Sequence, residues 1–467
     1  MPEIQEVSVF SYLYLRSTNP KIMTKIQNIM KLGTLLSAGL FFGCNSSTMD
    51  SQNIGKTEVL PWHEGKKLAV SITYDDGTLN QFRKAIPIMN DLGMHGTIFI
   101  NTGEIPGSQY PAKYIGRDIL EIIAETSKRK TTEENLFERA TAIRFVDLEG
   151  AVAYHDQAGA LFERGRVEEA CALIDKGYSE IRVKNIRQLK TPQIIDGEMI
   201  DWEEIRKYAD QGHEFGVHTI SHPRLAVLDE ENLMYELMKC KEDIEANLGK
   251  AHTFSAECPF GTENERVMEY ALKEFPALRN RMPESYLHEI NRSGDFDPTY
   301  NEKAYTQWQR GPLSKTTLTD KKTWIDQSLQ SVNNPWLVLV YHGIDGIGWE
   351  PQSSDSIKAY FEYIHDLDKD IWVGTFGEVT KYMREKMASK VTVTPGQDNI
   401  QVELTHDLGP LYDFPLTLKT YVSEDWEKTQ VKQGNDVQEL NVIKDENGSY
   451  IIYQAFLNTD KVLISNN

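Results

Sequence analysis

The stretch "LAVSITYDDG", residues 68–77, joins a short apolar run to two adjacent carboxylates. The run contains Val and Ile, follows two lysines and ends at Asp-Asp-Gly, so it predicts a buried β-strand. Neighbouring like charges are costly unless a cation lies between them or they share a proton. Asp75 and Asp76 therefore mark the end of this strand as the first place to look for chemistry.

Strands and helices alternate on both sides of this stretch. A helical pattern with Gly93 as its stop follows the first strand, and "GTIFIN" predicts a second strand. Further along, strands are predicted at 213–218, 252–261, 335–343 and 370–376, and helices at 201–211, 229–248, 263–275, 320–332, 354–367 and 377–388. This alternation predicts an α/β fold with a parallel sheet covered by helices, and the number of units favours a closed or nearly closed (β/α) barrel over 61–390.

Two segments depart from this alternation. Residues 104–195 are charged and helix-favouring, with apolar positions at helical spacing in "GALFERGRVEEACALIDKGYSEI", and predict a helical insertion into one barrel loop. Residues 391–467 contain short alternating strands between turn residues, which predict a small all-β sandwich as a separate domain.

The N-terminal segment has the pattern of an export signal. Two lysines precede the apolar run 32–42, which is too short to span a bilayer comfortably. The run ends in "FFGC", which resembles the lipobox of bacterial lipoproteins and predicts lipidation of Cys44; an ordinary cleaved signal with an incidental cysteine is the alternative. We expect an export signal over 1–44, a polar tether over 45–60, and an exported lipoprotein of the cell envelope, at the outer surface or in the periplasm.

Charge excludes some classes of partner. The chain has 70 acidic and 50 basic residues, a formal net charge of -20, and no basic block. This balance argues against nucleic acid and against anionic membrane surfaces, so we expect membrane contact only through a lipid anchor or signal segment. A neutral or cationic substrate fits better.

Reactive residues follow several predicted strands. In a parallel barrel the loops at the carboxyl ends of the strands converge over one pocket. Asp75 and Asp76 follow the first strand, His218 and His222 follow "EFGV", and His342 follows "LVLVY". A carboxylate with two imidazoles is the ligand set of a catalytic divalent metal. The H-x-x-x-H spacing places both rings on one side if the segment is helical.

The motifs themselves resemble those of a known family. "TYDDG" is similar to T-F-D-D-G, "HTISHPRL" to H-[ST]-x-x-H, and "LVLVYHG" to L-x-L-x-H, the motifs of the polysaccharide deacetylase family, which is the NodB-homology domain of carbohydrate esterase family four. The resemblance covers about 68–101 and 196–386 and implies a distorted (β/α) barrel of the NodB-homology type.

The resemblance also implies a function and a set of roles. It implies Asp75 as general base, Asp76, His218 and His222 as ligands of a divalent metal with Zn²⁺ as the default, and His342 as general acid. The expected function is a metal-dependent hydrolase that uses metal-activated water to remove N- or O-linked acetyl groups from a poly- or oligosaccharide, so that acetylated carbohydrate is the expected partner. The alternative is a non-catalytic glycan-binding lipoprotein of the cell surface.

The third motif departs from the family pattern. The family often has R-x-P-Y, whereas "AECPFG" has no arginine, which leaves open what orients Asp75. Pro259 and Phe260 remain as substrate-side residues, with the Phe260 N–H as candidate oxyanion donor. Trp349 is either a sugar-stacking residue or an ordinary loop tryptophan. The group that tunes the acid histidine has three candidates: Trp308, Arg310 and Asp345.

Overall fold

A parallel β-sheet with helices packed against it forms the centre of the fold. The structure is a computed structural model that describes residues 53–193, 199–279, 290–293 and 303–467. In chain order its strands are β1 Thr57–Val59, β2 Leu68–Asp76, β3 Thr97–Ile100, β4 Glu214–Val217, β5 Ser255–Ala256, β6 Ala277–Leu278, β7 Ile290–Ser293, β8 Tyr305–Arg310, β9 Asn334–Tyr341, β10 Ile371–Val373, β11 Lys390–Pro395, β12 Asn399–Thr405, β13 Leu416–Tyr421, β14 Lys428–Gln433, β15 Asp436–Asn441, β16 Ile443–Asp445, β17 Gly448–Ala455 and β18 Val462–Asn466. Its α-helices are α1 Ile86–Asp91, α2 Ile119–Glu125, α3 Glu133–Ile143, α4 Ala151–Glu163, α5 Val167–Val183, α6 Trp202–Ala209, α7 Glu230–Leu248, α8 Glu265–Glu274, α9 Leu318–Leu329, α10 Ser354–His365 and α11 Phe376–Ala388.

The order of the parallel strands confirms the predicted fold class. The sheet runs β6-β5-β4-β3-β2-β9-β8-β7, and β10 pairs with the beginning of β2. Every residue of β2 except the last is buried, because both faces of this central strand are covered. The fold is therefore a parallel sheet with helices packed against it, in the α/β class that the sequence predicts.

The helices follow the strands where the sequence places them. The Asp201 carboxylate accepts a hydrogen bond from the Glu204 N–H at 2.9 Å and caps the start of α6. Helix α7 begins after the Asp229 cap and ends at Gly249, whose φ of +93° suits glycine. Local capping therefore fixes the helix ends that the sequence predicts.

The predicted insertion is helical and has a hydrophobic core of its own. Helices α2 to α5 lie within 104–195, and buried residues of this core include Leu136, Ile143, Ile174 and Tyr178. Val227, from the loop after β4, packs into the same core. The insertion is thus folded against the loop that carries His222.

The C-terminal strands form two antiparallel sheets. One has the order β1-β13-β17-β16 and the other β11-β12-β18-β14-β15, and their inner faces contribute to one hydrophobic core. Strand β14 has a weak apolar pattern, since only Thr429 and Val431 of "KTQVKQ" are buried.

Two predicted boundaries differ from the structure. Strand β1 lies within the predicted tether over 45–60, yet it pairs with β13. The sandwich core also continues into the base of the barrel, where it includes Trp62, Trp336 and Tyr382. The described residues from 53 onward form one compact unit. Residue 391 therefore marks a change of secondary structure but not of hydrophobic core, since apolar side chains at the base of the barrel need cover.

The predicted export signal, including Cys44, lies outside the described residues. No helix in the described ranges has both the length and the apolar character that crossing a membrane requires.

Candidate active site

Adjacent strands of the parallel sheet bring polar side chains to one edge. The carboxyl ends of parallel strands meet at the same edge, so residues far apart in sequence become neighbours there. In the order of the sheet these residues are Arg279 after β6, Glu257 after β5, His218 after β4, Asn101 after β3, Asp75 and Asp76 at the end of β2, and His342 after β9.

Three of the predicted residues form a compact group of metal-ligand type. The Asp76 Oδ1 atom lies 3.7 Å from His218 Nε2 and 3.4 Å from His222 Nε2. One ligand atom from each residue lies within 4.8 Å of the others. The structure therefore brings Asp76, His218 and His222 together as the sequence predicts.

Hydrogen bonds set the orientation of His218. Its Nδ1 lies 2.9 Å from the Glu257 carbonyl oxygen, an acceptor that requires Nδ1 to carry the proton. The lone pair of Nε2 then faces Asp76. The Asn101 side-chain amide donates to the His218 carbonyl and holds the backbone of the same residue. A metal-ligating histidine usually donates its other ring N–H to a carbonyl or carboxylate acceptor, which fixes the orientation of the ring.

The protonation states fit a divalent cation. Burial lowers the pKa of both His218 and His222 to about 4, so both rings are neutral at pH 7. Burial raises the pKa of Asp76. A cation at this position would hold the Asp76 carboxylate ionised and would take the two imidazole lone pairs. One carboxylate and two neutral imidazoles therefore fit Zn²⁺ or a similar ion.

The segment between the two histidines is not helical, which corrects the expectation from the H-x-x-x-H spacing. Thr219 and His222 have left-handed backbone conformations, with φ of +71° and +47°. This turn brings the two rings to a centroid distance of 5.0 Å. Tertiary contacts, rather than a helical repeat, place the second ring.

Asp75 has a different environment from its neighbour. The Arg279 Nη2 donates to its Oδ2 at 2.6 Å, and His342 Nε2 lies 3.2 Å from the same oxygen. Burial alone would raise the pKa of Asp75, but the Arg279 guanidinium and then His342 outweigh burial and hold the pKa well below its usual value. Asp75 is therefore ionised at neutral pH.

Arg279 is a site residue that the sequence analysis missed. Its guanidinium also donates to Thr73 Oγ1 at 2.6 Å and to Glu257 Oε2 at 3.1 Å. Glu257 occupies the position at which the family motif often has arginine, so the positive charge comes from the next strand instead. The available signals were that acidic residue in place of arginine and an arginine directly after the short apolar segment 275–278.

His342 is placed to hold a proton. Burial lowers its pKa, but the Asp75 carboxylate more than compensates, and the net pKa of His342 is raised. The Gln81 side-chain amide donates to the backbone carbonyls of both Asp75 and His342, the latter at 2.8 Å. Gln81 begins a turn of π-helix, a feature common at functional sites.

Aromatic side chains lie beside two of the site histidines. The ring of Phe260 is 4.8 Å from the ring of His222, and 43% of Phe260 is exposed. Trp349 is 59% exposed and lies 4.8 Å from the ring of His342. Pro259, by contrast, is buried in the turn that precedes Phe260.

Of the three candidates for tuning His342, the expected acid, Asp345 instead bonds to the first turn of helix α10. Its carboxylate accepts hydrogen bonds from the N–H and hydroxyl of Ser354, at 2.8 and 2.6 Å, at the start of α10. Trp308 is fully buried and Arg310 ends β8. The described partner of His342 is Asp75 itself.

The comparison with protein families bears on these residues. Residues 149–275 match the family model described as polysaccharide deacetylase. This part of the chain is therefore similar to the polysaccharide deacetylase family. The matched range contains His218, His222 and the Pro259-Phe260 turn. The motif with Asp75 lies before this range, which begins within the helical insertion and includes α4 and α5.

Individual relatives are distant. A gellan lyase from a Bacillus species is 24% identical over 269 residues, which is 54% of this chain but only 11% of that enzyme. A candidate polysaccharide deacetylase from Mycobacterium smegmatis has a TM-score of 0.37 at 13% identity, covering 73% of this chain and 98% of that one. A family 4 carbohydrate esterase from Bacillus anthracis has a TM-score of 0.31 at 14% identity, with coverages of 70% and 86%.

Substitution of Arg279 by Gln should raise the pKa of Asp75. Without the guanidinium, only the neighbouring histidines still oppose burial, so the protonated carboxyl becomes more favourable. We expect the Asp75 carboxyl to titrate at least about one pH unit higher in the variant, since removal of a close cation shifts a carboxyl by about one to three units. Carbon-detected NMR titration of the aspartate carboxyls in metal-free protein measures this shift.

The pH dependence of the free energy of unfolding provides a second test of the same substitution. A carboxyl with a depressed pKa stabilises the folded state above its unfolded pKa, and this contribution disappears as the pH falls. The wild type should therefore be more stable than the variant at pH 7, with the difference narrowing below about pH 4. Arg206→Gln, which alters an exposed arginine paired with Asn247, is the control. An unchanged Asp75 titration in Arg279→Gln would contradict the conclusion that Arg279 lowers the pKa of Asp75.

Proposed function

We propose that this chain is a metal-dependent hydrolase that removes acetyl groups from a poly- or oligosaccharide. The observation that carries the proposal is the division of two adjacent carboxylates between two environments. Asp76 faces two neutral imidazoles, whereas Asp75 faces a guanidinium and a histidine. Two carboxylates with a purely structural role would not need to lie in two such different environments.

The ligands of the proposed metal are Asp76, His218 and His222. The nitrogen and oxygen ligand types favour Zn²⁺ as the default ion, though other divalent ions accept the same set. When bound, the ion would act as a Lewis acid toward the acetyl carbonyl.

Asp75 and His342 supply the proposed acid–base chemistry. Arg279 keeps Asp75 ionised and fixes its orientation, so the free carboxylate oxygen can take a proton from the attacking water. His342, with a raised pKa, holds a proton that it can deliver to the departing amine or alcohol. Each such group is typically worth about 10²–10⁴ in rate. Phe260 remains the candidate for a backbone donor to the developing oxyanion, with Pro259 fixing the turn before it.

The aromatic side chains support a sugar substrate. Phe260 and Trp349 expose apolar faces next to His222 and His342, and aromatic faces of this kind pack well against the apolar faces of sugar rings. N-acetyl and O-acetyl groups present the same attack geometry, so both remain within the proposal.

We further propose that the chain acts in the cell envelope. This proposal rests on the apolar run 32–42 followed by Gly43-Cys44. Wild-type protein expressed with its N-terminus should remain in the membrane fraction, and Cys44→Ala should be released from it. Equal release of both proteins would instead support an ordinary cleaved signal.

Acetate release from a panel of acetylated oligosaccharides tests the enzymatic activity. Zn²⁺-loaded wild type should release acetate, and a chelator should abolish the release. Asp75→Asn should lose about 10²–10⁴ in rate because the base is missing, while its metal content stays near normal. His218→Ala should lose both activity and metal, since it removes a ligand.

Two outcomes would contradict the assignments in different ways. Full activity of Asp75→Asn would refute the base. No acetate release by metal-loaded wild type over a broad panel would favour a non-catalytic glycan-binding protein.

In the same assay Trp349→Ala should raise KM for oligosaccharides, with Phe456→Ala, an exposed aromatic of the sandwich, as the matched control.

A further inference from the structure

The loop that carries His222 has a backbone that needs external support. Thr219 and His222 both have positive φ, and neither is glycine. Such conformations are unfavourable for residues with a Cβ, more so for the β-branched threonine, and they persist only where surrounding contacts hold them. The shape of this loop is therefore set by the groups packed around it.

One support comes from the barrel helix α7. Glu236, a buried residue of α7, accepts hydrogen bonds through Oε2 from the N–H groups of Ile220 at 2.9 Å and Ser221 at 2.8 Å. Its Oε1 accepts from the Ser221 hydroxyl. A single carboxylate thus holds the two residues that precede His222.

A second support comes from the helical insertion. Arg144, buried at the carboxyl end of α3, donates through Nη2 to the Ser221 carbonyl oxygen at 2.8 Å and through Nη1 to the Ser221 hydroxyl at 3.3 Å. The N–H, carbonyl and hydroxyl of Ser221 are therefore all held, by Glu236 on one side and Arg144 on the other. Charge-assisted hydrogen bonds of this kind are the stronger ones.

The insertion also holds the residues that follow His222. Arg224 forms an ion pair with Glu163 of α4, and its guanidinium lies 4.3 Å from the ring of Phe260. Gly159, one turn earlier on α4, lies so close to Arg224 that a Cβ there would overlap its side chain. The insertion contacts the loop on both sides of the histidine.

We propose that the helical insertion is a clamp that holds the His222 loop in its metal-binding shape, with Arg144 as the main positioning residue. The proposal rests on the proposed metal site for its functional consequence. The geometry of the loop, however, can be tested in metal-free protein. Arg144 is not one of the proposed metal ligands, and its hydrogen bonds reach His222 only through Ser221.

The chain offers a matched control on the same helix. Arg139 of α3 is also fully buried, but its guanidinium donates to the Arg129 carbonyl at 3.1 Å, to Thr131 Oγ1 at 3.0 Å and to Glu125 Oε1 at 3.0 Å, all within the insertion. Arg139→Met should therefore weaken the insertion without touching the His222 loop. A comparison of the two variants separates positioning from general destabilisation.

The first measurement is Zn²⁺ affinity of the metal-free full chain by titration calorimetry. We expect Arg144→Met to bind Zn²⁺ about 10–100-fold more weakly than wild type, as is typical when a supporting partner of a ligand is lost. Arg144→Lys should recover part of the affinity, because one ammonium can reach one Ser221 oxygen but not form the fork. Arg139→Met should stay within about twofold of wild type, since it leaves Ser221 held.

The second measurement is hydrogen exchange of peptides covering 218–224 in metal-free protein. Arg144→Met should exchange faster there than wild type, and Arg139→Met should not. Wild-type exchange in this segment and wild-type affinity for Arg144→Met would refute the clamp, as would an equal loss of affinity in Arg139→Met. Absence of Zn²⁺ binding by the wild type would refute the metal site, and the exchange data would then decide the clamp alone.

Discussion

Two adjacent aspartates can both remain ionised in a buried site only if each has its own positive partner. Asp75 has Arg279, a guanidinium that is itself almost completely buried and shared with Glu257. Asp76 faces two imidazoles that burial keeps neutral, and we propose a bound cation as its positive partner. Breaking a buried ion pair leaves an uncompensated charge and is strongly destabilising. In the proposed mechanism, the position of Arg279 therefore decides which carboxylate acts as the base and which binds the cation.

The scaffold explains how such distant residues reach one another. Arg279, Glu257 and Asp75 come from β6, β5 and β2, and the Thr73 hydroxyl within β2 accepts from the same guanidinium. The cost of the arrangement is local strain, since Asp76, His222 and Phe260 all have positive φ. The surrounding packing, which includes the insertion, has to offset that strain.

Most of the fold could be predicted from the sequence because its signals are local. Apolar runs, caps such as Asp201 and Asp229, and stops such as Gly249 each act within a few residues. The site residues at strand ends followed from the same alternation, because parallel strands deliver their ends to one edge.

The remaining features depend on contacts that no local pattern encodes. Arg279 follows a strand of two residues and acts on an aspartate about two hundred positions earlier. The shape of the His222 loop depends on Arg144 in the insertion, and the pairing of β1 with β13 depends on a strand at the far end of the chain. Such long-range partners become visible only when the tertiary structure is known.

Anomalous diffraction from Zn²⁺-soaked crystals, recorded on both sides of the zinc absorption edge, tests the division of the two carboxylates most directly. We expect one peak about 2.0–2.2 Å from an Asp76 oxygen and from Nε2 of His218 and His222. Asp75 should remain paired with Arg279. A peak ligated by Asp75 in place of Asp76, or no peak at this edge of the sheet, would contradict this division.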